Sequence, residues 1–130
     1  MIYLDLFGPG AEFEHIGLVV KSIRDVTGDR AEIYSDDIQK VFVAFIDMHG
    51  MRVELIQPKG EDSPVAMNLK KGQKLVHLCY SVPDIREAIR IGRENGFHCI
   101  AKPVPAAAFG EKSIAWLFSK TYGLVELVEK

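Results

Sequence analysis

Hydrophobic and polar residues alternate along several stretches of the chain, and the first of these stretches is residues 13–20. In a strand, Ile16 and Leu18 fall on one face, whereas His15 and Gly17 fall on the other. Such alternation is typical of a half-buried strand. The pattern therefore predicts a strand with an apolar face and a second face that carries a histidine.

The rest of the first half predicts one short helix and three more strands. The turn signal Thr27-Gly28-Asp29 ends the helix after about two turns. The last two strands are joined at His49-Gly50, which is a hairpin signal. The predicted order is β-α-β-β-β, with strands over 13–20, 30–34, 40–48 and 52–57 and the helix over 21–29.

The second half predicts the same order of elements after a polar linker. In that linker, residues 65–71 are expected to form a short helix that is capped by Asp62 or Ser63. The longer helix of this half is amphipathic, and four of its residues share one face: Ile85, Ala88, Ile89 and Gly92. Its predicted bounds are 84–95, and the predicted strands are 76–82, 97–104, 113–119 and 124–129.

These elements predict a single α+β domain over residues 1–130, with module one at 13–57, a linker at 58–75 and module two at 76–129. The first helix is shortened, since the interval from His15 to Glu54 is shorter than that from His77 to Glu126. A short helix leaves the outer face of the first sheet partly bare unless residues 1–12 or a second subunit cover it. The sequence therefore predicts a homodimer.

The composition argues against two kinds of partner, nucleic acids and membranes. The chain has 130 residues, a formal net charge of −2, and 48% hydrophobic residues. Without a basic surface, we expect no nucleic-acid partner. No apolar run approaches the roughly 20 residues that span a bilayer, so we expect no membrane association and a cytoplasmic location.

A weak internal repeat matches His15 with His77 and Glu54 with Glu126. It aligns residues 14–23 with 76–85 and residues 41–56 with 113–128. One strand histidine or glutamate alone is most often a structural or solvent-facing residue. Four at matched positions indicate chemistry, because two imidazoles and two carboxylates are a ligand set for a divalent Zn, Ni, Co, Mn or Fe ion. If the two sheets curl into one trough, all four side chains converge there.

The paired modules, each with a histidine in its first strand and a glutamate in its last, resemble the vicinal oxygen chelate superfamily. That superfamily includes glyoxalase I, methylmalonyl-CoA epimerase, extradiol dioxygenases and the fosfomycin- and bleomycin-resistance proteins. Three segments look most like methylmalonyl-CoA epimerases: V-E-L-I-Q-P-x-x-x-D-S-P-V (53–65), V-H-L-C-Y-S-V-P-D-I (76–85) and F-G-E-K-S-I-A-W-L-F (109–118). The resemblance implies a glyoxalase-like fold with a curved mixed sheet.

The resemblance also implies roles for the four matched residues. It maps His15, Glu54, His77 and Glu126 onto the metal ligands of the family. The bound metal would chelate two oxygens of a carbonyl or acyl-thioester substrate and stabilise an enolate-like intermediate. A carboxylate ligand would act as the base, with Glu126 as the first candidate and Glu54 as the second.

Three positions depart from the epimerase pattern or extend it. Lys40, or Gln39 if the alignment is off by one, stands where epimerases carry a second glutamate base. Phe109 stands where they often have a histidine, and Trp116 is expected on the face that lines the trough. We therefore expect Lys40, Trp116 and Phe109 to contact the substrate.

These departures leave three functions open. The first is a metal-dependent isomerase or lyase that resembles methylmalonyl-CoA epimerase. The second is a lactoylglutathione lyase, which uses the same ligand set on a hemithioacetal. The third is a non-catalytic protein that sequesters a small molecule, since a protonated lysine at the base position is no base.

Overall fold

The structure, a computed structural model, describes residues 1–130. Module one contains β1 (Glu12–Val19), α1 (Ile23–Thr27), β2 (Tyr34–Asp36), β3 (Val41–Met48) and β4 (Met51–Pro58). The linker carries α2 (Ala66–Lys70). Module two contains β5 (Leu75–Val82), α3 (Ile85–Glu94), β6 (His98–Cys99), β7 (Val104–Ala106), a 3-10 turn (Ala107–Phe109), β8 (Lys112–Ser119) and β9 (Gly123–Glu129).

All nine strands belong to one mixed sheet, in the order β2-β3-β4-β1-β5-β9-β8-β6 with β7 also paired to β8. Within each module the first and last strands are parallel neighbours, namely β1 with β4 and β5 with β9. The modules join through the antiparallel pair β1 and β5. The predicted curved mixed sheet is confirmed, and the histidine and glutamate strands of both modules lie side by side at its centre.

Local sequence explains the best-defined elements. His49 and Gly50 both have positive φ, at 54° and 91°, as the two-residue hairpin between β3 and β4 requires. The Asp84 side chain accepts a hydrogen bond from the backbone N–H of Glu87 at 3.1 Å and so caps α3. The predicted apolar face of α3 is buried against the sheet: Ile85, Ala88, Ile89 and Gly92.

Two predicted strands are wrong in their bounds. The strand predicted over 30–34 is observed as β2 at Tyr34–Asp36, because only those residues pair with β3. The strand predicted over 97–104 is divided into β6 and β7. Pro103, which lies between them, has no N–H to contribute to a ladder, so continuous pairing ends there.

The predicted cap of α2 is also wrong. Val65 occupies the N-cap position and provides no side-chain hydrogen bond. The Ser63 hydroxyl is buried without a hydrogen-bond partner, and the Ser63 carbonyl oxygen accepts from the N–H of Ala66 at 3.1 Å instead. The linker therefore begins its helix through a backbone turn.

The outer faces of the two modules are covered unequally. In module two, α3 packs on β8 and β9 together with Phe7 from the N-terminal segment. In module one, α1 covers a smaller cluster that includes Val53 and Leu55. The N-terminal segment thus packs on module two, and α1 covers module one. The homodimer stays a prediction. None of the helices is long and apolar enough to cross a membrane.

Candidate metal centre and its cavity

Four strands bring His15, Glu54, His77 and Glu126 to one point on the concave face of the sheet. Their ligand atoms all lie within 4.8 Å of one another. The two histidine Nε2 atoms are 3.2 Å apart, and Glu126 Oε1 lies 3.1 Å from His15 Nε2 and 3.3 Å from His77 Nε2. Glu54 Oε1 lies 3.6 Å from both nitrogens. One chain thus supplies all four groups that could hold a metal ion.

Strand periodicity explains why both glutamates face inward. Val53 and Leu55 flank Glu54 and pack toward α1, which directs Glu54 to the opposite face. Val125 and Leu127 flank Glu126 and pack toward α3 in the same way. Both carboxylates are buried, with relative exposures of 5% for Glu54 and 3% for Glu126.

Each histidine follows a β-bulge in the central strand pair. In β1, Phe13 pairs with Tyr80 and His15 with Cys79, so Glu14 has no partner residue. In β5, His77 pairs with Gly17 while Leu75 pairs with Leu18, and these pairs leave Val76 without a partner. A bulge re-aims the side chains around it, and bulges are common beside functional sites. The residue before each histidine is therefore turned out of simple alternation.

The bulged residues have different neighbours. Glu14 Oε1 lies 3.1 Å from His15 Nδ1, which leaves Nε2 of that ring for the cluster. Arg52 Nε lies 3.4 Å from the same carboxylate oxygen. Val76 lines the cavity, although alternation predicts that it packs toward the helices. Sequence reasoning missed Glu14 because its role depends on a bulge that only the pairing with β5 creates.

Gly17 is a second residue that sequence reasoning missed. A Cβ built on Gly17 would overlap Cε1, Nδ1 and Nε2 of the His77 ring. The imidazole therefore lies directly on the backbone of β1, where only glycine leaves room for it. A glycine inside a strand is itself a signal of close approach, and that signal was present in the sequence.

Burial and charge separate the two glutamates. Burial, together with the neighbouring Glu126 carboxylate, raises the pKa of Glu54 to about 8. Burial acts in the same direction on Glu126, but contact with the His15 and His77 imidazoles outweighs it and lowers the pKa of Glu126 to about 2. Burial lowers the pKa of His15, but contacts with Glu126, Glu54 and Glu14 outweigh it, and the net shift is upward.

The cluster fits a divalent cation by its chemistry. Four groups that each offer a lone pair converge in a buried space, and neither carboxylate forms an ion pair with a lysine or arginine. Glu126 Oε1, which lies between the two histidine Nε2 atoms, is fully buried and makes no well-formed hydrogen bond. Buried polar atoms are rarely left unpaired, so this oxygen indicates a missing positive partner.

A cavity of about 320 Å³ opens onto this cluster. Its wall is mostly apolar and includes Val41, Val43, Ile56 and Ile114. Its polar lining consists of three of the four cluster residues and three further polar residues: Glu54, His77, Glu126, Asp36, Gln39 and Asn68. Such a cavity suits a small molecule with an apolar part and a few oxygen atoms.

Trp116 and Phe109 line this cavity, whereas Lys40 does not. Trp116 lies edge-on to His77 with the ring centroids 4.8 Å apart, and Phe109 stacks on His15 at 5.8 Å. Lys40 has a positive φ of 56° and forms a 2.7 Å ion pair with Asp62 at the surface. The cavity wall at that point is Gln39, which is the other residue that the alignment allowed.

Comparisons with known proteins agree with this geometry. Residues 14–116 match the sequence profile of the Glyoxalase/Bleomycin resistance protein/Dioxygenase superfamily. Uncharacterized protein YqjC of Bacillus subtilis is 33% identical over 127 residues, which cover 89% of this chain and 90% of that protein. The ethylmalonyl-CoA/methylmalonyl-CoA epimerase of Cereibacter sphaeroides is 34% identical over 91 residues, which cover 67% of this chain and 68% of that enzyme.

Solved structures share the fold. A hypothetical protein from Bacillus halodurans C-125 aligns with a TM-score of 0.76 at 31% identity and covers 93% of this chain and 95% of its own. The methylmalonyl-CoA epimerase of Streptomyces coelicolor, in complex with 2-nitronate-propionyl-CoA, aligns with a TM-score of 0.73 over 92% of this chain and 94% of its own. At 21% identity, this second likeness concerns the fold alone.

Proposed function

The chain belongs to the Glyoxalase/Bleomycin resistance protein/Dioxygenase superfamily, and from that premise we propose that it is a metal-dependent isomerase or lyase that moves a proton at the carbon beside a carbonyl group. The observation that carries the proposal is the four-residue cluster at the base of the cavity. The similarity to the ethylmalonyl-CoA/methylmalonyl-CoA epimerase of Cereibacter sphaeroides supports the proposal.

His15, Glu54, His77 and Glu126 would hold the metal. When bound, a divalent ion supplies Lewis acidity, which lowers the cost of negative charge on a carbonyl oxygen. The chain contributes a mostly apolar wall around the site, so charges there interact more strongly than in water.

Glu54 is the better candidate for the group that accepts the proton. Its nearest imidazole nitrogens are 3.6 Å away, whereas Glu126 contacts both rings at 3.1 and 3.3 Å. In the cluster without an ion, the pKa of Glu54 is about 8 and that of Glu126 is about 2, so Glu54 is the carboxylate that takes up a proton more readily. This reverses the order that the resemblance implied, and Glu126 becomes the second candidate.

The rest of the cavity offers no other base. Gln39 has a neutral amide, and both Asp36 oxygens accept backbone hydrogen bonds, from Gln39 at 2.9 Å and from Ala107 at 3.4 Å. Proton transfer to both faces of a substrate carbon would therefore require Glu54 and Glu126 together. An enzyme that uses one of them alone would exchange the proton without inverting the centre.

We expect the substrate to be an acyl thioester or another carbonyl compound with a second oxygen close to the reacting carbon. The cavity holds an acyl group but not a coenzyme, whose remainder would extend through the opening. The names of the relatives, which refer to ethylmalonyl-CoA and methylmalonyl-CoA, support a short branched acyl group.

The decisive experiment measures proton exchange on a loaded protein. Protein purified without a metal-affinity tag is analysed for metal, loaded with Zn, Ni or Co, and incubated in D₂O with methylmalonyl-CoA while NMR follows the α-proton. We expect about one metal per chain and metal-dependent exchange, with a loss of at least about a hundredfold in Glu54→Gln, because general acid–base groups contribute about that much or more. Glu12→Gln, on the exposed end of β1, is the matched control.

Other results would redirect or reject the proposal. Turnover of a hemithioacetal, with no exchange of the α-proton of methylmalonyl-CoA, would identify a lyase of the glyoxalase type. Metal binding with tight ligand binding and no turnover would identify a sequestering protein. Wild-type protein that carries no metal and takes none up would overturn the proposal that the protein is a metal-dependent enzyme.

A further inference from the structure

A hydrogen bond between two side chains joins the two modules across the cavity. The indole Nε1 of Trp116 in β8 donates to the side-chain oxygen of Gln39 at 3.1 Å. An indole N–H can only donate, so the atom of Gln39 that faces it must be the amide oxygen. The orientation of this amide is therefore fixed by its partner.

The opposite end of the amide has no protein partner. Gln39 lines the cavity, and its side-chain nitrogen makes no hydrogen bond with any residue of the chain. The backbone at this position is held as well, because the Gln39 N–H donates to buried Asp36 at 2.9 Å. Both N–H bonds of the amide are consequently available to a molecule in the cavity.

Most other polar side chains that line the cavity accept hydrogen bonds and do not donate them. Asp36, Glu54 and Glu126 are acceptors when ionised, and no lysine or arginine lines the wall. The second amide, Asn68, donates one of its two N–H groups to Gln73 at 3.2 Å. Gln39 keeps both of its N–H groups and is hydrogen-bonded to Trp116, which lies against His77, so it is the amide donor held beside the cluster.

We propose that the side-chain nitrogen of Gln39 donates a hydrogen bond to a carbonyl or carboxylate oxygen of the substrate, and that Trp116 acts as a positioning residue by holding the amide in the donating orientation. This assignment rests on the proposed function for the class of substrate. It selects compounds that present an additional oxygen acceptor to the wall between the modules, as 1,3-dicarbonyl compounds do.

The test is a double-mutant cycle on ligand binding. The probe is malonate, which carries four carboxylate oxygens, and calorimetry measures its affinity for zinc-loaded protein. The variants are Gln39→Met, Gln39→Glu, Trp116→Phe and the double variant Gln39→Met/Trp116→Phe. Gln39→Glu retains an acceptor for Trp116 but loses the donor, so the link between the modules stays intact. The control is Thr121→Val, at an exposed residue outside the cavity.

We expect Gln39→Met to weaken malonate binding about tenfold, which is the usual effect of losing one hydrogen bond to a charged group. Gln39→Glu should weaken it further by repulsion, although the thermal midpoint stays near that of the wild type. Trp116→Phe should cost about threefold, since a freed amide still donates part of the time. The double variant should bind no worse than Gln39→Met, because Trp116 acts only through Gln39.

Three outcomes would overturn the proposal. Equal affinity of Gln39→Met and the wild type would remove the donor role, and so would a zinc-loaded wild type that does not bind malonate. A Trp116→Phe effect of the same size in both backgrounds would mean that Trp116 contacts the ligand directly. The proposed function has a separate readout, because malonate binding that depends on Gln39 can persist in a protein that exchanges no α-proton.

Discussion

The two modules hold their histidines in different ways at the same structural position. In both, the residue before the histidine is the bulged residue, but it is Glu14 in module one and Val76 in module two. His15 has a carboxylate on Nδ1 at 3.1 Å, whereas His77 Nδ1 has no hydrogen-bond partner. Module one therefore orients its ring by charge, and module two orients its ring by shape against Gly17.

The residue that pairs with each histidine across the sheet also differs between the modules. His15 pairs with Cys79 across the sheet, and His77 pairs with Gly17, which are matched positions in the repeat. A side chain is tolerated beneath one ring and excluded beneath the other. The internal repeat thus preserves the four ligands while it divides their support into two mechanisms, and each mechanism can be removed separately.

The largest effect is expected from Gly17→Ala. The added methyl group overlaps the His77 ring, so the imidazole must leave the cluster. Since φ of Gly17 is not positive, alanine is acceptable to the backbone, and the damage comes from the clash alone. We expect metal content to fall from about one per chain to near zero, together with a loss of about 1–3 kcal/mol in the free energy of unfolding.

The matched control is Cys79→Ala, at the equivalent position of module two. It leaves the His15 ring in contact with Glu14 and should retain metal. Elemental analysis of the two proteins, with urea unfolding of both, distinguishes the two effects. Normal metal content in Gly17→Ala would mean that the backbone of β1 does not position His77.

The sequence predicted much of this site because strand alternation and repeat symmetry are local signals. Glu54 and Glu126 each stand between apolar residues that bury on the helix side, so their direction follows from period two alone. Glu14 and Val76 could not be predicted in this way, since a bulge exists only relative to the neighbouring strand. Lys40 and Gln39 differ by one position, and in a turn after β2 no periodicity decides which side chain faces the cavity.

The carboxylates of the two modules should differ in the pH at which they hold a proton. Glu54 has a pKa of about 8 and that of His15 is raised, so the ligands of module one hold protons at pH 6, whereas Glu126, at about 2, does not. Metal binding requires deprotonated ligands, so affinity should rise with pH by about tenfold per unit for each proton released and level off above about pH 8.

Competition with a chelator at pH 6, 7 and 8 measures this slope. Glu54→Gln removes one titrating ligand and should flatten the pH dependence, even though its affinity at pH 8 is lower. Glu126→Gln lowers the affinity as well but keeps Glu54, whose pKa is raised mainly by burial, so it should keep more of the slope than Glu54→Gln does. Equal slopes in both variants would contradict the division between the modules.

Glu14→Ala removes the charge that orients His15. Glu14→Ala leaves Nδ1 of His15 without its partner, as Nδ1 of His77 already is. Partners of ligating histidines typically contribute about 10- to 100-fold to metal affinity, and we expect the lower end because Glu14 is partly exposed. Glu14→Gln should recover part of the loss, since an amide oxygen also accepts from Nδ1–H. No change in Glu14→Ala would mean that both rings are held by shape.

The smallest effect is expected from Arg52→Met, which tests how far the charged support of His15 extends. Arg52 lies 3.4 Å from Glu14 and covers the Phe45 ring at 4.3 Å, but its side chain is 49% exposed. Exposed ion pairs contribute about 0–1 kcal/mol, so metal affinity should change by about fivefold or less. Methionine retains packing on Phe45, and the loss of the cation–π contact should lower stability by about 0.5–1 kcal/mol. If instead metal affinity falls as far as in Glu14→Ala, the orienting unit is the Arg52–Glu14 pair, and module one depends on its exposed surface for a buried ligand.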